Sequence, residues 1–308
     1  MTYEYDPPGD RPLQGRARDG LLVGIGRATA QRLAGSGWTV YATARRLESI
    51  ADLEPRGCNL LALDVTDEDS MQAAVRTVEE AEGAVGVLVN NAGYSQSGAV
   101  ETVPIEHVRR QFETNVFGLA RMAQLVLPSM RRQRWGRIVN VSSMGGKLTF
   151  PGGGFYHATK YAVEALSDAL RFEVQGFGID VVVIEPGLIK TGFATAAVGA
   201  LGDATSHGAA AADDPYATFN RAVAKSTAGV YEGPLAKLGG RPETVAAARE
   251  GDHCQAPAHA LPRHAVRPAG HGPAPVARRP RLGQVPRESV PNARKGVAIE
   301  LADEEVSR

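Results

Sequence analysis

Tyr156 and Lys160 carry the chemistry that this sequence signals most strongly, because they stand four residues apart in a helical pattern. Residues at i and i+4 share one face of a helix. An ammonium group beside a phenol favours the phenolate and lowers the tyrosine pKa from about 10 towards neutrality. We therefore expect Tyr156 to donate and accept protons. A Tyr-x-x-x-Lys pair by itself is more often an ordinary helix pair, so the surrounding residues decide.

Ser143 closely follows the apolar run 137–141, which predicts a buried strand. The reactive groups of an open parallel sheet gather at the carboxyl ends of its strands. We therefore expect Ser143 at the same edge as the helix that carries Tyr156, where its hydroxyl would hydrogen-bond a substrate oxygen.

The composition bounds the class of protein. The 308 residues have a formal net charge of zero, which gives no indication of a nucleic-acid or acidic-lipid partner. Cys58 and Cys254 are the two cysteines, so no disulfide framework is expected and a reducing cytoplasm is favoured. The opening residues are acidic and contain proline, unlike a signal peptide, and apolar runs such as 181–184 are too short to span a bilayer.

Short apolar runs alternate with longer helical patterns from residue 19 to about residue 249. This alternation predicts βαβ units and a parallel sheet within one α/β domain. The predicted strands are 38–42, 59–63, 85–89, 137–141 and 179–184, and the predicted helical stretches are 67–82, 104–130 and 156–175.

The two ends of the chain break this order. Residues 1–18 are polar and basic, and residues 250–308 are rich in proline and arginine, with few of the aliphatic side chains that a core needs. We expect both segments to be irregular or disordered. The histidines between 253 and 271 are irregularly spaced and have no cysteine cluster beside them, so no metal site is expected there.

Glycines before the first helical pattern are suited to hold a phosphate. Gly20, Gly24 and Gly26 would let the backbone approach a pyrophosphate while the N–H groups at the start of the helix point at it. These glycines are weak support by themselves, because the chain has 35.

A second segment of small residues, Asn-Asn-Ala-Gly at 90–93, follows the predicted strand that ends at Val89. It would let the adenosine half of a dinucleotide lie across the strand ends. A plain turn is the alternative, since Asn and Gly favour turns. Asp64 ends the preceding predicted strand, where it would either hydrogen-bond an adenine amino group or begin a turn.

Together these motifs resemble the short-chain dehydrogenase/reductase family over roughly residues 20 to 195, and the residues around Tyr156 resemble its steroid- and retinol-type branch. The motifs stand in the family's order: Gly20-x3-Gly24-Ile25-Gly26, Asp64, Asn90 to Gly93, Asn115, Ser143, Tyr156-x3-Lys160 and Pro186-Gly187. The resemblance implies a doubly wound parallel sheet, the Rossmann fold, and an NAD(P)-dependent oxidoreductase acting on CH–OH groups.

The resemblance also implies roles for single residues. Asn115, Ser143, Tyr156 and Lys160 would be catalytic, with Asn115 kinking its helix and holding a water on Lys160. The implied cofactor contacts are Gly20, Gly24, Ile25, Gly26, Arg45, Arg46, Asp64, Val65, Asn91, Ala92, Gly93, Tyr156, Lys160, Pro186, Gly187, Ile189 and Thr191. No metal is implied.

The end of the strand predicted at 38–42 indicates which cofactor is used. A site for NAD places a carboxylate on the ribose 2′-hydroxyl at this point. Here Ala44 stands in that place, and Arg45 and Arg46 follow it. We expect NADP(H), because the two guanidinium groups would attract a 2′-phosphate. NAD(H) stays the alternative, since arginine pairs are also common as solvated surface charges.

The expected reaction is a reversible hydride transfer. In reduction, Tyr156 would protonate a carbonyl oxygen that Ser143 also binds, while the nicotinamide delivers hydride to the carbon. Residues 188–240 would close the pocket as a lid. Because this stretch is rich in alanine and glycine and contains several aromatic residues, we expect a mostly apolar substrate. The resemblance to the steroid- and retinol-type branch implies a hydrophobic ketone or aldehyde, or the corresponding secondary or primary alcohol.

Two other functions stay open. The chain would be a non-catalytic or vestigial binding protein if its cofactor site were damaged, and a non-redox epimerase or lyase would also retain Tyr-x-x-x-Lys. A homodimer or homotetramer is also open. Val163, Leu166 and Leu170 form an apolar stripe that would either pair subunits or pack in the core.

The family's first strand is not recognisable in this sequence. Residues 13–20 contain two arginines and Asp19 where a buried parallel strand needs a near-continuous aliphatic run. With chosen codons, a one-base shift converts residues 14–23 into Lys-Ala-Val-Leu-Val-Thr-Gly-Cys-Ser-Ser, and a similar shift gives a family-like reading of 282–293. We therefore hypothesise frameshifts near residues 10–24 and after about residue 248.

Overall fold

The computed structural model describes residues 24–189, 215–232, 239–247 and 297–300. Within these residues the predicted parallel sheet is confirmed, and it has six strands in the order β2-β1-β6-β3-β4-β5, with every pairing parallel. The strands are β1 (Val40–Ala44), β2 (Cys58–Ala62), β3 (Val87–Asn90), β4 (Gly136–Val141), β5 (Ile179–Ile184) and β6 (Val297–Glu300).

The first five strands lie within about two residues of the predicted apolar runs. They form because the side chains of a central parallel strand are buried on both faces, which favours aliphatic residues at consecutive positions. Every residue of β1 and of β3 is buried.

Helices connect these strands. They are α1 (Ile25–Gly35), α2 (Glu68–Glu82), α3 (Ile105–Phe112), α4 (Leu119–Gln133), α5 (Gly154–Val174), α6 (Ala217–Glu232) and α7 (Pro242–Ala246). The start of α2 is fixed by Asp67, whose carboxylate accepts a hydrogen bond from the backbone N–H of Ser70 at 2.7 Å. Its end is fixed by Gly83, which adopts a left-handed backbone with φ of 85°.

The core lies on both faces of the sheet, as a doubly wound fold requires. Successive side chains of a strand point to opposite faces. Leu88 accordingly packs in one cluster with residues of α2 and α4, and Val87 and Val89 pack in a second cluster with residues of α1. The predicted fold class is therefore confirmed.

The centre of the sheet is occupied by a strand that the sequence analysis did not anticipate. β6 lies between β1 and β3, where Val297 pairs with both Val40 and Val87. In the family that the sequence resembles, this place would belong to the strand that leads into the glycine-rich loop. Four residues from the segment predicted to be an irregular tail occupy it instead.

Several predictions fall outside the described residues. These are the structure of the N-terminal segment, most of the lid at 188–240, and the tail apart from β6. The apolar stripe predicted on α5 is largely internal: Val163 is fully buried, Leu170 packs against the core, and Leu166 is exposed. Core packing thus accounts for two of its three residues.

Candidate active site

Tyr156 and Lys160 lie in the first turns of α5, and their relationship is the one that the i, i+4 spacing predicts. The Nζ atom of Lys160 is 5.8 Å from the centroid of the Tyr156 ring. Lys160 is buried, and its Nζ donates a hydrogen bond to the carbonyl oxygen of Val141 at 2.9 Å. Tyr156 is half-buried. The phenol therefore lies beside a fixed ammonium group at the carboxyl end of β4.

Burial sets the electrostatics of this pair. It lowers the pKa of Lys160 to about 8, because removal from water disfavours the ammonium form, and the carboxylate of Glu164 opposes that effect. A lysine with such a pKa is still largely protonated at neutral pH. It thus presents a positive charge that stabilises a phenolate on Tyr156.

Ser143 follows β4 and begins a short 3₁₀ helix, Met144–Gly146. Its Oγ accepts a hydrogen bond from the backbone N–H of Gly145 at 3.0 Å. The backbone N–H of Met144, the residue after Ser143, donates a hydrogen bond to the carbonyl oxygen of Pro186 at 2.9 Å. The serine loop is therefore held against the segment after β5 at the same sheet edge.

His157 is a site residue that the sequence reasoning missed. Its Nε2 accepts a hydrogen bond from the N–H of Phe150 at 3.1 Å, so its Nδ1 carries the proton and donates to the carbonyl oxygen of Gly145 at 3.1 Å. Burial lowers the pKa of His157, which keeps the ring neutral. His157 thereby attaches the serine loop to the helix that carries Tyr156.

Asn115 lies in a π-helical turn, Glu113–Gly118, between α3 and α4. It is buried, and its side chain meets both groups of the Tyr94 backbone: Nδ2 donates to the carbonyl oxygen at 2.9 Å and Oδ1 accepts from the N–H at 3.0 Å. Nδ2 also donates to Thr159 Oγ1 at 3.1 Å. The irregular turn agrees with the kink that the resemblance implies.

The small-residue segment 90–93 leads from β3 to these side chains. A Cβ atom on Gly93 would lie 3.1 Å from Asn115 Oδ1 and 3.7 Å from Lys160 Nζ. A larger side chain at this position would therefore crowd Asn115 and Lys160. Asn91 and Ala92 are half-buried beside it.

At the opposite end of the edge, Arg45 and Arg46 directly follow β1, and both are exposed. Burial raises the pKa of Tyr94, while the charges of Arg110 and Arg45 oppose that rise. The charge of Arg45 therefore reaches Tyr94, whose backbone contacts Asn115.

The side chain of Asp64 stabilises a turn, which was the alternative to binding an adenine amino group. Its Oδ1 accepts hydrogen bonds from the N–H of Thr66 at 2.9 Å and from the Thr66 hydroxyl at 2.7 Å. Val65 is buried, and its carbonyl oxygen would lie 2.5 Å from a Cβ on Gly118. The turn is thus packed firmly onto the π-helical segment.

The amino terminus of α1 also faces the ligand edge. Gly24 is the N-cap and provides no side-chain hydrogen bond, so the N–H groups of Ile25 and Gly26 are not capped by a side chain. Among the residues that the structure describes, no atom lies within 4 Å of a Cβ built on Gly24 or on Gly187. A helix terminus of this kind, with glycine at its N-cap, is suited to bind a phosphate.

The segment after β5 completes the described edge. Leu188 accepts a hydrogen bond from the N–H of Gly240 at 2.8 Å, and Ile189 forms a parallel bridge with Gly240. Pro186 and Gly187 lie next to the serine loop, because Pro186 accepts the hydrogen bond from Met144. The resemblance implies that this segment contacts the nicotinamide. Gly20 and Thr191 lie outside the described residues. The other predicted catalytic and cofactor residues gather along one sheet edge, and the glycines, arginines and uncapped helix terminus among them fit a dinucleotide.

None of the helices in the described part of the chain is both long and apolar enough to cross a membrane.

Comparisons with known proteins agree with this geometry. A family model for short chain dehydrogenase matches residues 20–200. The 3-ketodihydrosphingosine reductase of Bacteroides thetaiotaomicron is 42% identical over 175 residues, which cover 56% of this chain and 63% of that protein. The NADPH-dependent 3-dehydrocapnine reductase of Ornithobacterium rhinotracheale is 38% identical over 181 residues, which cover 56% of this chain and 64% of that protein.

A solved structure shares the architecture as well. The crystal structure of a metagenomic short-chain oxidoreductase in complex with NADP is 27% identical, with a TM-score of 0.52, and the match covers 53% of this chain and 77% of that one. The chain thus spans just under two thirds of the two reductases and somewhat more of this structural neighbour.

Proposed function

Since this chain belongs to the short-chain dehydrogenase/reductase family, we propose that it is an NADP-dependent oxidoreductase, which interconverts a hydrophobic carbonyl compound and the corresponding secondary or primary alcohol. The observation that carries the proposal is the position of Lys160 Nζ, which is buried beside the Tyr156 ring and fixed to the end of β4. This arrangement serves proton transfer at a substrate oxygen.

Each catalytic side chain has one task in the proposed mechanism. When bound, NADP(H) supplies or accepts the hydride at the substrate carbon. Tyr156 donates its phenolic proton to the carbonyl oxygen in reduction and accepts a proton in oxidation, and Lys160 stabilises the phenolate. Ser143 donates a hydrogen bond to the same oxygen, and Asn115 connects Lys160 to solvent through a water. Groups positioned in this way contribute roughly 10² to 10⁴ in rate.

The names of two relatives and the aromatic residues of the lid sequence support a hydrophobic substrate. The relatives are named as reductases of 3-ketodihydrosphingosine and 3-dehydrocapnine. The lid sequence at 188–240 contains Phe193, Tyr216, Phe219 and Tyr231. Within the described part, Gly152 packs against Val223 of α6, so α6 approaches the loop that precedes Tyr156.

NADP(H) is proposed over NAD(H) because no carboxylate stands directly after β1, and Arg45 and Arg46 stand there instead. A 2′-phosphate would meet two guanidinium groups at this place. The name of one relative and the ligand of one structural neighbour both specify the phosphorylated cofactor for those proteins.

The low cysteine content favours a reducing compartment, so we place the protein in the cytoplasm.

The test is a panel of ketones and aldehydes, including 3-ketodihydrosphingosine, with NADPH oxidation followed by absorbance. We expect turnover that is lost in Tyr156→Phe, while fluorescence titration shows NADPH binding unchanged. Near-normal turnover in Tyr156→Phe would contradict the proposed role of the phenol. Product analysis also separates hydride transfer from an epimerase or lyase reaction.

One observation favours a second candidate function, a non-catalytic binding protein. The central place of the sheet is occupied by β6 and not by a strand that continues into Gly24. The glycine-rich loop proposed to bind the pyrophosphate would then not follow directly from the central strand of the sheet. A folded protein that fails to bind NADPH in the same titration would favour this second candidate.

A further inference from the structure

Lys147 connects three elements of the active-site edge. It directly follows the 3₁₀ helix that Ser143 begins. Its Nζ donates to Oε2 of Glu164 on α5 at 2.7 Å and lies 3.4 Å from Oε1 of Glu185, just before the segment Pro186–Gly187. The serine loop, the catalytic helix and the proposed nicotinamide segment therefore meet at one ammonium group.

Glu164 is the buried member of this cluster. Its side chain is 10% exposed, whereas the side chains of Lys147 and Glu185 are 50% and 43% exposed. Its second oxygen, Oε1, is buried and has no hydrogen-bond partner among the described residues. A buried carboxylate is costly to maintain, and an uncharged side chain would fill the space at lower cost. The position of its charge therefore needs an explanation.

The fit around Glu164 is close. A Cβ atom on Gly146 would lie 2.9 Å from Glu164 Cγ and 2.9 Å from Ser142 Oγ. The absence of a side chain at 146 thus lets the serine loop approach α5 until Lys147 reaches the carboxylate. Glu164 also stands one helical turn after Lys160, so two opposite charges are buried on the same side of α5.

We propose that Glu164 is a positioning residue of the reaction, which holds the Ser143 loop against α5 through Lys147 and maintains the ammonium form of Lys160. The proposal rests on the function proposed above. Glu164 touches neither substrate nor cofactor in this role and acts through Lys147 and Lys160.

The electrostatic part of the proposal has a definite sign. The charged or titratable groups around the site are Lys160, Tyr156 and His157 on α5, Lys147 on the serine loop and Glu185 after β5. Burial lowers the pKa of Lys160 to about 8, and Glu164 raises it. Without the carboxylate, the pKa of Lys160 falls further and the ammonium fraction at neutral pH decreases. The phenolate of Tyr156 then loses stabilisation.

The experiment compares Glu164→Gln with the wild type in two measurements. Nuclear magnetic resonance of the Lys160 Nζ signal follows its titration in the free protein, and the pH profile of kcat/KM is recorded for alcohol oxidation. We expect the ammonium-to-amine ratio of Lys160 to fall by roughly tenfold at a given pH, which is one pKa unit. The rising limb of the oxidation profile should move to higher pH. Glu173→Gln, the same change at an exposed position of α5, should leave both unchanged.

Three further variants keep the test decisive if Glu164→Gln folds poorly. Glu164→Asp retains the charge and should restore most of the Lys160 titration. Lys147→Met should lower kcat with a smaller effect on KM, and Lys147→Arg should recover it. An unchanged Lys160 titration in a folded Glu164→Gln variant would overturn the proposal. Because that titration needs neither cofactor nor substrate, it is independent of a failure of the wild type to reduce any carbonyl.

Discussion

The Nζ atom of Lys160 and the carbonyl oxygen of Val141 are 2.9 Å apart, and this hydrogen bond joins α5 to the last residue of β4. The bond fixes the ammonium group in a buried position and leaves the Tyr156 ring beside it. The proposed proton chemistry therefore depends on the packing of a helix on a strand end.

Replacing Lys160 by methionine should retain the packing and remove the charge. We expect kcat to fall by roughly 10² or more, because the phenolate of Tyr156 loses its stabilising charge. The free energy of unfolding should change little, because the relief from burying an ammonium group offsets the loss of its hydrogen bond to Val141. Steady-state kinetics and urea unfolding measure the two effects. Turnover within a few fold of the wild type would contradict the role given to the ammonium group.

Replacing both Arg45 and Arg46 by alanine tests the choice of cofactor. If both guanidinium groups bind a 2′-phosphate, the KM for NADPH should rise by roughly 10- to 100-fold, which corresponds to one or two charge-assisted hydrogen bonds. The KM for NADH, which lacks that phosphate, should change little. Arg132→Ala, an exposed arginine on α4, is the matched control. Equal changes for both cofactors would show that the arginines do not select between them.

His157 gives the folded protein a pH dependence of known sign. Burial lowers its pKa below the ordinary 6.5. In the unfolded chain, His157 therefore binds a proton more readily than in the folded protein. The contribution of the buried, neutral ring to the free energy of unfolding is fully present above pH 6.5 and decreases as the pH falls through that value. The free energy of unfolding of the wild type minus that of the His157→Gln variant should decrease when the pH is lowered from about 7.5 to about 5. Urea unfolding at both pH values measures it, and an advantage independent of pH would contradict the neutral, buried ring.

The sequence predicts those parts of the fold that depend on local pattern. The strands β1 to β5 were found because consecutive aliphatic residues mark strands buried on both faces. Tyr156 and Lys160 were found because a fixed helical spacing brings them together. In contrast, Lys147 and Glu164 are separated by seventeen residues and meet only because the serine loop folds back onto α5. No periodicity marks such a pair.

His157 and β6 were missed for different physical reasons. A histidine beside a catalytic tyrosine gives no signal of its own, although a buried position one residue after Tyr156 is what lets it reach Gly145. The strand β6 has only four residues and is surrounded by segments poor in aliphatic residues. Its partners Val40 and Val87 are distant in sequence, so pairing with them is a property of the whole sheet.

The position of β6 leads to a prediction about stability. Removing residues 297–308 should leave the facing backbone groups of β1 and β3 without their partner, and unpaired buried N–H and C=O groups are costly. We expect a cooperative loss of several kcal/mol in the free energy of unfolding, or failure to fold. Removing only residues 301–308 is the control, because it retains the strand. Ile299→Pro tests the same place in the full chain, because proline lacks the backbone N–H that a central strand donates to its neighbours. If both changes left thermal unfolding as it is in the wild type, other residues would have to form the centre of the sheet in solution.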